Sequence, residues 1–426
     1  MGDDLLGWAK DARARTLRLA ATLDPDQLLG PMLRIVNPPL WELGHVGWFQ
    51  EKWVLRHAAG RRPLRPDGDA LWDSIAIPHD SRWSLPLPTL AGTLEYLAEV
   101  QDGVERLLRR GDADPYFVAL TVLHEDMHAE AMTFSRQTLG WRPPDPRGAG
   151  QSAGPAAGDL AGDVEVPGGT LRLGAEEDGR FVFDNEKWAH PVALAPFRIA
   201  RAPVTQAEFA RFVADGGYRR RELWSEAGWR WREAAQAAHP VYWEPDGAAG
   251  WRRRDFDRLV PLEPDRPMVH ACWFEADAFC RWAGRRLPTE AEWEAAAAGE
   301  RGSDGRLAPS KRRYPWGDVA PSPSLAHLDA RALAPLDVAA LPAGESAFGC
   351  RQLLGNVWEW TASPFLPYPG FVPDPYREYS QPWFGDHVVL RGGSFATPAR
   401  LLRNTWRNFY TPDRRDPWAG FRTCAA

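Results

Sequence analysis

The sequence predicts a two-domain α+β protein, and three observations carry that reading. Apolar residues recur at helical spacing in four stretches of the first 141 residues. A segment rich in Pro, Gly, Ala and Ser, RPPDPRGAGQSAGPAAGDLAGD, then fills residues 142–163 and reads as a linker. Beyond it the pattern changes to short strand-like alternation, with long Gly-, Pro- and Trp-rich loops around a few helices. The expected organisation is a helical bundle over 1–141, the linker, and an irregular α+β domain over 164–426.

The elements follow in order. Residues 3–22 form an amphipathic helix, with Leu5, Leu6, Trp8, Leu17 and Leu19 among Arg and Asp. Pro38-Pro39 start a second helix from about Leu40 to His57. A loop with Pro63, Pro66 and Gly68 precedes ALWDSIAIPHDSRWSLPLPT, partly helical and then extended, broken by Pro78, Pro86 and Pro88. A third helix covers 89–110 with Thr89 as N-cap, and a fourth covers 115–139. Four helices in this length predict an antiparallel bundle, whose core suits a metal site. In the second domain VEVPGGTLRLG reads as strands about a Gly-Gly turn, and TQAEFARFVADGG and ACWFEADAFCRWAGRR read as helices. LPTEAEWEAAAAG carries a capping box of Thr289 and Glu292. There is no internal repeat.

The net charge of −6 gives no reason to expect nucleic acid or an anionic membrane as partner. No apolar run reaches bilayer-spanning length, and the N-terminus MGDDLLGWAKDARART lacks the pattern of a secretory signal. Cys272, Cys280, Cys350 and Cys424 lie far apart without a CxxC pair, so a reduced, cytoplasmic protein is expected. The 22 Trp suit long irregular segments held down by large aromatics with a polar edge.

The chemistry concentrates in LTVLHEDMHAEAMTF, residues 120–134. His124 and His128 are four apart on a helix, so both imidazoles can face one ion. Alone, such a pair is as readily two satisfied polar residues on a half-buried face. His45, flanked by Gly44 and Gly47 in the second helix, is the expected third ligand; His57 and His79 are the alternatives. Three imidazoles with open positions suit Fe(II), Zn or Cu. Glu130 is two residues from His128, roughly 200° around the helix, so it and Glu125 are expected to orient an imidazole or brace the bundle.

The second domain resembles the formylglycine-generating-enzyme family, a fold related to C-type lectins. The matching stretches are PGGTLRLG, FDNEKWAHPV, PVTQAEFARFV, RPMVHACWFEADAFCRWAGRRLPTEAEWEAAA, YPWGD, GNVWEWTASP, LRGGSF and AGFR, spread over residues 167–422. Formylglycine-forming enzymes carry a Cys pair shortly before GFR. Here RNFYTPDRRDPWAGFR has none, and Cys424 follows it, so copper-dependent formylglycine chemistry is not expected.

Joined to a DinB-like helical bundle with His45 and HEDMHAE, this domain resembles the ergothioneine-pathway sulfoxide synthases over nearly the whole chain. That resemblance implies a non-haem Fe(II) held by His45, His124 and His128. It implies an O2-dependent reaction that joins a chalcogen donor to imidazole C2 of hercynine, the trimethylated betaine of histidine. The segment PGFVPDPYREYSQPWF matches the one supplying a catalytic Tyr, which falls on Tyr376, with Tyr379 as companion. Without the resemblance, both tyrosines would read as packing in a Pro-rich loop.

Departures from the family pattern bear on the donor. The resemblance implies that members taking γ-glutamylcysteine bind it with two Arg, which pair with its carboxylates, and an Asp. Here Arg82 is kept, His79 replaces the first Arg, and Tyr410 replaces the Asp. Losing a bidentate carboxylate partner changes donor choice. Met127 stands where the family has a Gln on the hercynine side, while Asn408 and Phe409 remain there, Phe409 offering a face to the trimethylammonium group. A neutral selenosugar, as used by the selenoneine synthase branch, needs hydroxyl-binding groups, which His79, Asp80 and Tyr410 supply. The expected function is therefore selenoneine synthesis, with a thiol donor (γ-glutamylcysteine or cysteine) as the alternative. A metal-dependent thiol transferase, or a non-catalytic binding module on the same fold, are the readings outside this chemistry.

Overall fold

The computed structural model describes residues 4–144, 157–247 and 250–426. The chain divides into two compact units, Met1–Pro146 and Arg147–Ala426. Much of the expected linker, residues 145–156, lies outside the described residues.

The first unit is built from α1 (Leu5–Ala20), α2 (Pro39–Gln50), a short α3 (Gly68–Trp72), α4 (Leu90–Arg110) and α5 (Pro115–Leu139). The four long helices are those expected from the apolar periodicity. Helix α2 continues without a break into π-type turns over Glu51–Ala58. The ends follow from side-chain chemistry. Thr89 Oγ1 accepts from Gly92 N at 3.2 Å to open α4, and Asp114 with Pro115 opens α5. Gly111 and Gly140 close α4 and α5 in the left-handed conformation.

A buried ion pair crosses this core. The Arg13 guanidinium gives Glu125 two bonds, of 2.8 and 3.2 Å, and also reaches the Leu97 carbonyl and Gln50 Oε1. One side chain of α1 thereby ties α2, α4 and α5, and Glu125 braces the bundle as expected of it.

The second unit contains four sheets among the described residues. One orders β1 (Asp163–Val166), β4 (Phe197–Ala200), β13 (Cys424–Ala425) and β8 (Arg285–Arg286); β2 (Gly169–Leu173) pairs with β3 (His190–Leu194). Another runs β5 (Trp243–Pro245), β6 (Trp251–Asp255), β7 (Arg258–Pro261). The last orders β11 (Asn408–Tyr410), β10 (Val388–Arg391), β9 (Trp358–Pro364) and β12 (Ala419–Gly420). Helices α6 (Gln206–Ala214), α7 (Glu226–Ala234), α8 (Trp273–Trp282) and α9 (Glu290–Ala298) surround them.

The Gly-Gly turn expected between β1 and β2 is not a hairpin. β1 pairs antiparallel with β4, and β2 with β3. A Cβ on Gly168 would lie 2.8 Å from Pro196 Cδ and 2.9 Å from the Leu194 carbonyl oxygen. The glycine serves a close crossing of chain segments where one strand hands over to a different sheet.

The capping box of α9 is present, with Thr289 Oγ1 accepting from Glu292 N and the Glu292 carboxylate from Thr289 N. The sequence motifs of this unit meet as buried ion pairs. Glu359 of GNVWEW accepts from Arg422 of AGFR at 2.6 and 2.7 Å and from Trp293 Nε1 at 2.7 Å. Arg391 of LRGGSF donates to Glu294 at 3.0 Å, and Arg407 to Glu290 at 2.9 Å. These arginines are fully buried, so losing either partner would strand a charge in the core. Among the described residues, no helix is long and apolar enough to cross a membrane.

Candidate functional site

In the first unit, His45 of α2 and His124 and His128 of α5 come together, their ligating nitrogens all within 4.8 Å of one another. The Nε2 atoms of His124 and His128 are 3.1 Å apart, as the i, i+4 spacing requires. Two glycines let neighbouring elements close on His45. A Cβ on Gly44 would sit 2.1 Å from Trp72 Nε1, and one on Gly47 would sit 2.6 Å from Leu97 Cδ2.

The ring orientations are set from outside the cluster. His45 Nδ1 lies 2.8 Å from the carbonyl oxygen of Trp72 at the end of α3, a position where helix carbonyls lack an internal partner. His128 Nδ1 lies 2.5 Å from Glu42 Oε2. Both partners can only accept, so both Nδ1 atoms carry the proton and both Nε2 lone pairs point inward. Aromatic walls complete the site: Trp41 stacks on His45 at 4.7 Å and 11°, and Phe49 on His124 at 3.6 Å and 8°.

Electrostatics agree with this geometry. Burial, reinforced by His128, lowers the His45 pKa to about 3. Burial and the other two imidazoles push His124 well below the usual histidine range. Burial raises the Glu42 carboxyl, but its interactions with His128, His45 and Asn37 outweigh that and hold it at about 2. With His45 and His124 held neutral and the Glu42 carboxylate against His128 Nδ1, the donor set fits a divalent cation. Three protein ligands leave coordination positions for substrates.

The remaining expectations for this unit separate clearly. His57 is exposed and packs edge-on against Phe117 and Trp53, outside the cluster. His79 is outside it too; its ring nitrogens lie 2.8 Å from the Val36 carbonyl oxygen and 3.0 Å from the carboxylate of exposed Asp80. Arg82 is buried and donates to Asn37 Oδ1 at 2.6 Å and to the Ser74 carbonyl at 3.2 Å. Met127 is half-buried on α5 beside His128. Glu42 and the Trp72 carbonyl are the parts that sequence reasoning missed. Glu42 had a signal, since it stands three residues before His45 and shares its helix face.

In the second unit, Tyr376 and Tyr379 lie on the loop between β9 and β10, their ring centroids 6.3 Å apart. Tyr379 stacks on Phe183 at 4.2 Å and is 5.9 Å from Phe409. Burial, together with Glu186 and Asp184, pushes the Tyr379 phenol well above its usual range, so it stays protonated. Asn408, Phe409 and Tyr410 form edge strand β11, so Phe409 faces opposite to its two neighbours; it stacks on Phe365 at 4.0 Å. Arg414 lies over the Tyr410 ring at 5.0 Å.

The tyrosine loop is pinned at both sides of Tyr376. Lys187 Nζ is 2.7 Å from both Asp374 oxygens, and Ser380 Oγ donates to Asp184 at 2.5 Å while accepting from Asn185 Nδ2 at 3.0 Å. All four cysteines are free and buried, and none belongs to either constellation.

The class is thus a two-unit protein: a helical unit whose three convergent imidazoles could hold a metal ion, followed by an α+β unit carrying a pinned tyrosine loop. Comparison with known proteins agrees. Residues 9–141 match the DinB superfamily, and residues 150–426 match the Sulfatase-modifying factor enzyme 1-like domain. The hercynine oxygenase of Mycolicibacterium thermoresistibile is 44% identical over 424 residues, spanning 97% of this chain and 92% of that protein. That of Mycobacterium tuberculosis is 41% identical over 419 residues, spanning 96% of both. A formylglycine-generating enzyme of Streptomyces coelicolor is 34% identical over 286 residues, 62% of this chain and 88% of that one. The chain belongs to the hercynine oxygenase family and is an enzyme.

Proposed function

We propose that this chain is an O2-dependent enzyme that joins a chalcogen donor to imidazole C2 of hercynine. The observation that carries this reading is the His45, His124, His128 cluster, in a chain whose full-length relatives are named hercynine oxygenase. Fe(II) is the proposed ion, and when bound it would supply the activation of O2.

The chain's own residues supply the rest. The three imidazoles hold the ion; Glu42 and the Trp72 carbonyl keep His128 and His45 in the ligating tautomer. Trp41 and Phe49 keep bulk water off two of the rings. Tyr376 is the proposed proton donor of the reaction, with Tyr379 as its supporting neighbour. Phe409 is proposed to offer an aromatic face to the trimethylammonium group, with Asn408 as the further hercynine-binding residue. A cytoplasmic location fits the four free, buried thiols.

For the donor, the proposed particular is a selenosugar. Its support is the set of departures at His79, Met127 and Tyr410, together with the engagement of Arg82 inside its own unit. The names of the relatives speak for hercynine and oxygen and say nothing of selenium. A thiol donor, γ-glutamylcysteine or cysteine, is the second reading, and the relatives' names are equally silent on it.

The test offers the Fe(II)-loaded chain hercynine and O2 with a selenosugar, γ-glutamylcysteine and cysteine in turn, reading product masses. A carbon–selenium product supports the selenium reading. Products from thiols alone overturn it and keep the hercynine reading. Turnover that persists without O2 replaces both with thiol transfer.

A further inference from the structure

Arg82 sits where a donor-binding guanidinium is expected, yet its contacts run towards the histidine cluster by two separate routes. Along one, Arg82 Nη1 donates to Asn37 Oδ1 at 2.6 Å, Asn37 Nδ2 to Glu42 Oε1 at 2.5 Å, and His128 Nδ1 to Glu42 Oε2 at 2.5 Å. Along the other, the guanidinium lies 4.0 Å over the Trp41 ring, and Trp41 stacks on His45 at 4.7 Å. Two further bonds, from Nη2 to the Ser74 and Ile77 carbonyls, hold the guanidinium in place.

The first route has a fixed direction. A guanidinium can only donate, so the Asn37 amide must turn its oxygen to Arg82 and its NH2 to Glu42. Glu42, with one oxygen committed to Asn37, presents the other to His128 as an acceptor. Both Glu42 oxygens can only accept, so His128 Nδ1 donates to the carboxylate and Nε2 is the nitrogen left facing His124. The second route fixes the plane of His45, because a flat cation stacks on an indole face that in turn stacks on the imidazole.

We infer that Arg82 is a positioning residue for the metal-binding histidines, holding Glu42 against His128 through Asn37 and setting the ring plane of His45 through Trp41. This rests on the proposed metal role of the three histidines. A neutral side chain at residue 82, such as Gln, loses the charge-assisted bond that anchors Asn37 and the cation over Trp41, and so loosens the placement of Glu42 and His45.

The test is a Co(II) titration of the full chain, read by ligand-field absorption, on wild type, Arg82→Gln, Arg82→Lys and Asn37→Ala. Apo thermal unfolding serves as the fold check. Hydrogen-bond partners of metal-ligating groups typically change affinity about 10–100-fold. Arg82→Gln is expected to weaken Co(II) by that factor and to alter the absorption bands. Arg82→Lys recovers part of the loss, since Lys donates to Asn37 but lacks the planar stack. Asn37→Ala interrupts the first route alone and stands in should Arg82→Gln fail to fold.

Unchanged Co(II) affinity and spectrum in folded Arg82→Gln, with a raised KM for the donor only, would overturn the assignment and return Arg82 to donor binding. A wild-type chain that takes up no Co(II) overturns the metal reading itself, a result distinct from the first.

Discussion

Glu42 accepts the Nδ1 proton of His128 at 2.5 Å, across 86 residues of chain. The bond joins α2 to α5 at the histidine cluster and places a negative charge against the imidazole opposite its ligating nitrogen. Glu42→Gln removes that charge, and its amide can turn either its oxygen or its NH2 to His128. Metal affinity, followed by anaerobic Fe(II) or Co(II) titration, is expected to fall at least about tenfold, with apo stability much less affected.

The Arg13–Glu125 pair is almost fully buried and braces the helical core. Arg13→Met leaves Glu125 charged and unpartnered in the core, and such breaks typically cost about 3–5 kcal/mol. The double change Arg13→Met with Glu125→Leu is expected to recover most of that loss, because no charge is stranded. Urea unfolding of the apo chain measures both.

A pH-dependent term is expected from Asp184. Burial, with nearby Asp374, raises its carboxyl to about 6, although the Ser380 hydroxyl bond lowers it. The folded chain thus binds more protons than the unfolded one between about 4 and 6, so this group's contribution to stability falls as pH rises through that window and stays low above it. Buried His270 and His327, lowered by burial to about 3 and about 4, act in the opposite sense. They stay neutral when folded, and stability is lost as pH falls below the ordinary histidine value near 6.5. The difference in unfolding free energy between wild type and Asp184→Asn, measured from pH 4 to 7, isolates the Asp184 term. A flat difference contradicts it.

Tyr376→Phe removes one phenolic oxygen from a loop anchored elsewhere by Lys187–Asp374 and Ser380–Asp184. The variant is expected to keep full metal content and lose or divert bond formation. Tyr379→Phe is expected to have the smaller effect, its ring being held by Phe183. Product analysis beside metal content checks both. Normal turnover by Tyr376→Phe contradicts the assigned role.

The legible parts of the molecule are those whose signal is local. The long helices of the first unit follow from apolar spacing and caps such as Thr89 and Gly140, which act within one turn. The i, i+4 pair His124 and His128 is readable for the same reason, and His45 by its two flanking glycines, which do admit Trp72 and Leu97. What long-range packing decides was not readable. VEVPGGTLRLG looks like a hairpin because alternation does not say which partner a strand takes. Likewise, Arg82 matches a substrate-binding pattern in sequence, while its bonds to Asn37 and the Ser74 carbonyl depend on a loop folding back over α2. The motifs GNVWEW and AGFR are conspicuous, yet Glu359 and Arg422 meet as a buried structural pair.

The most direct measurement follows the imidazole C2 proton of hercynine by 1H NMR during incubation with the Fe(II)-loaded chain, a chalcogen donor and O2. The account predicts that the C2 resonance disappears only when iron, donor and O2 are all present, and that His128→Ala abolishes the loss. A C2 proton that survives with every donor, in a chain shown to hold one iron, would contradict it.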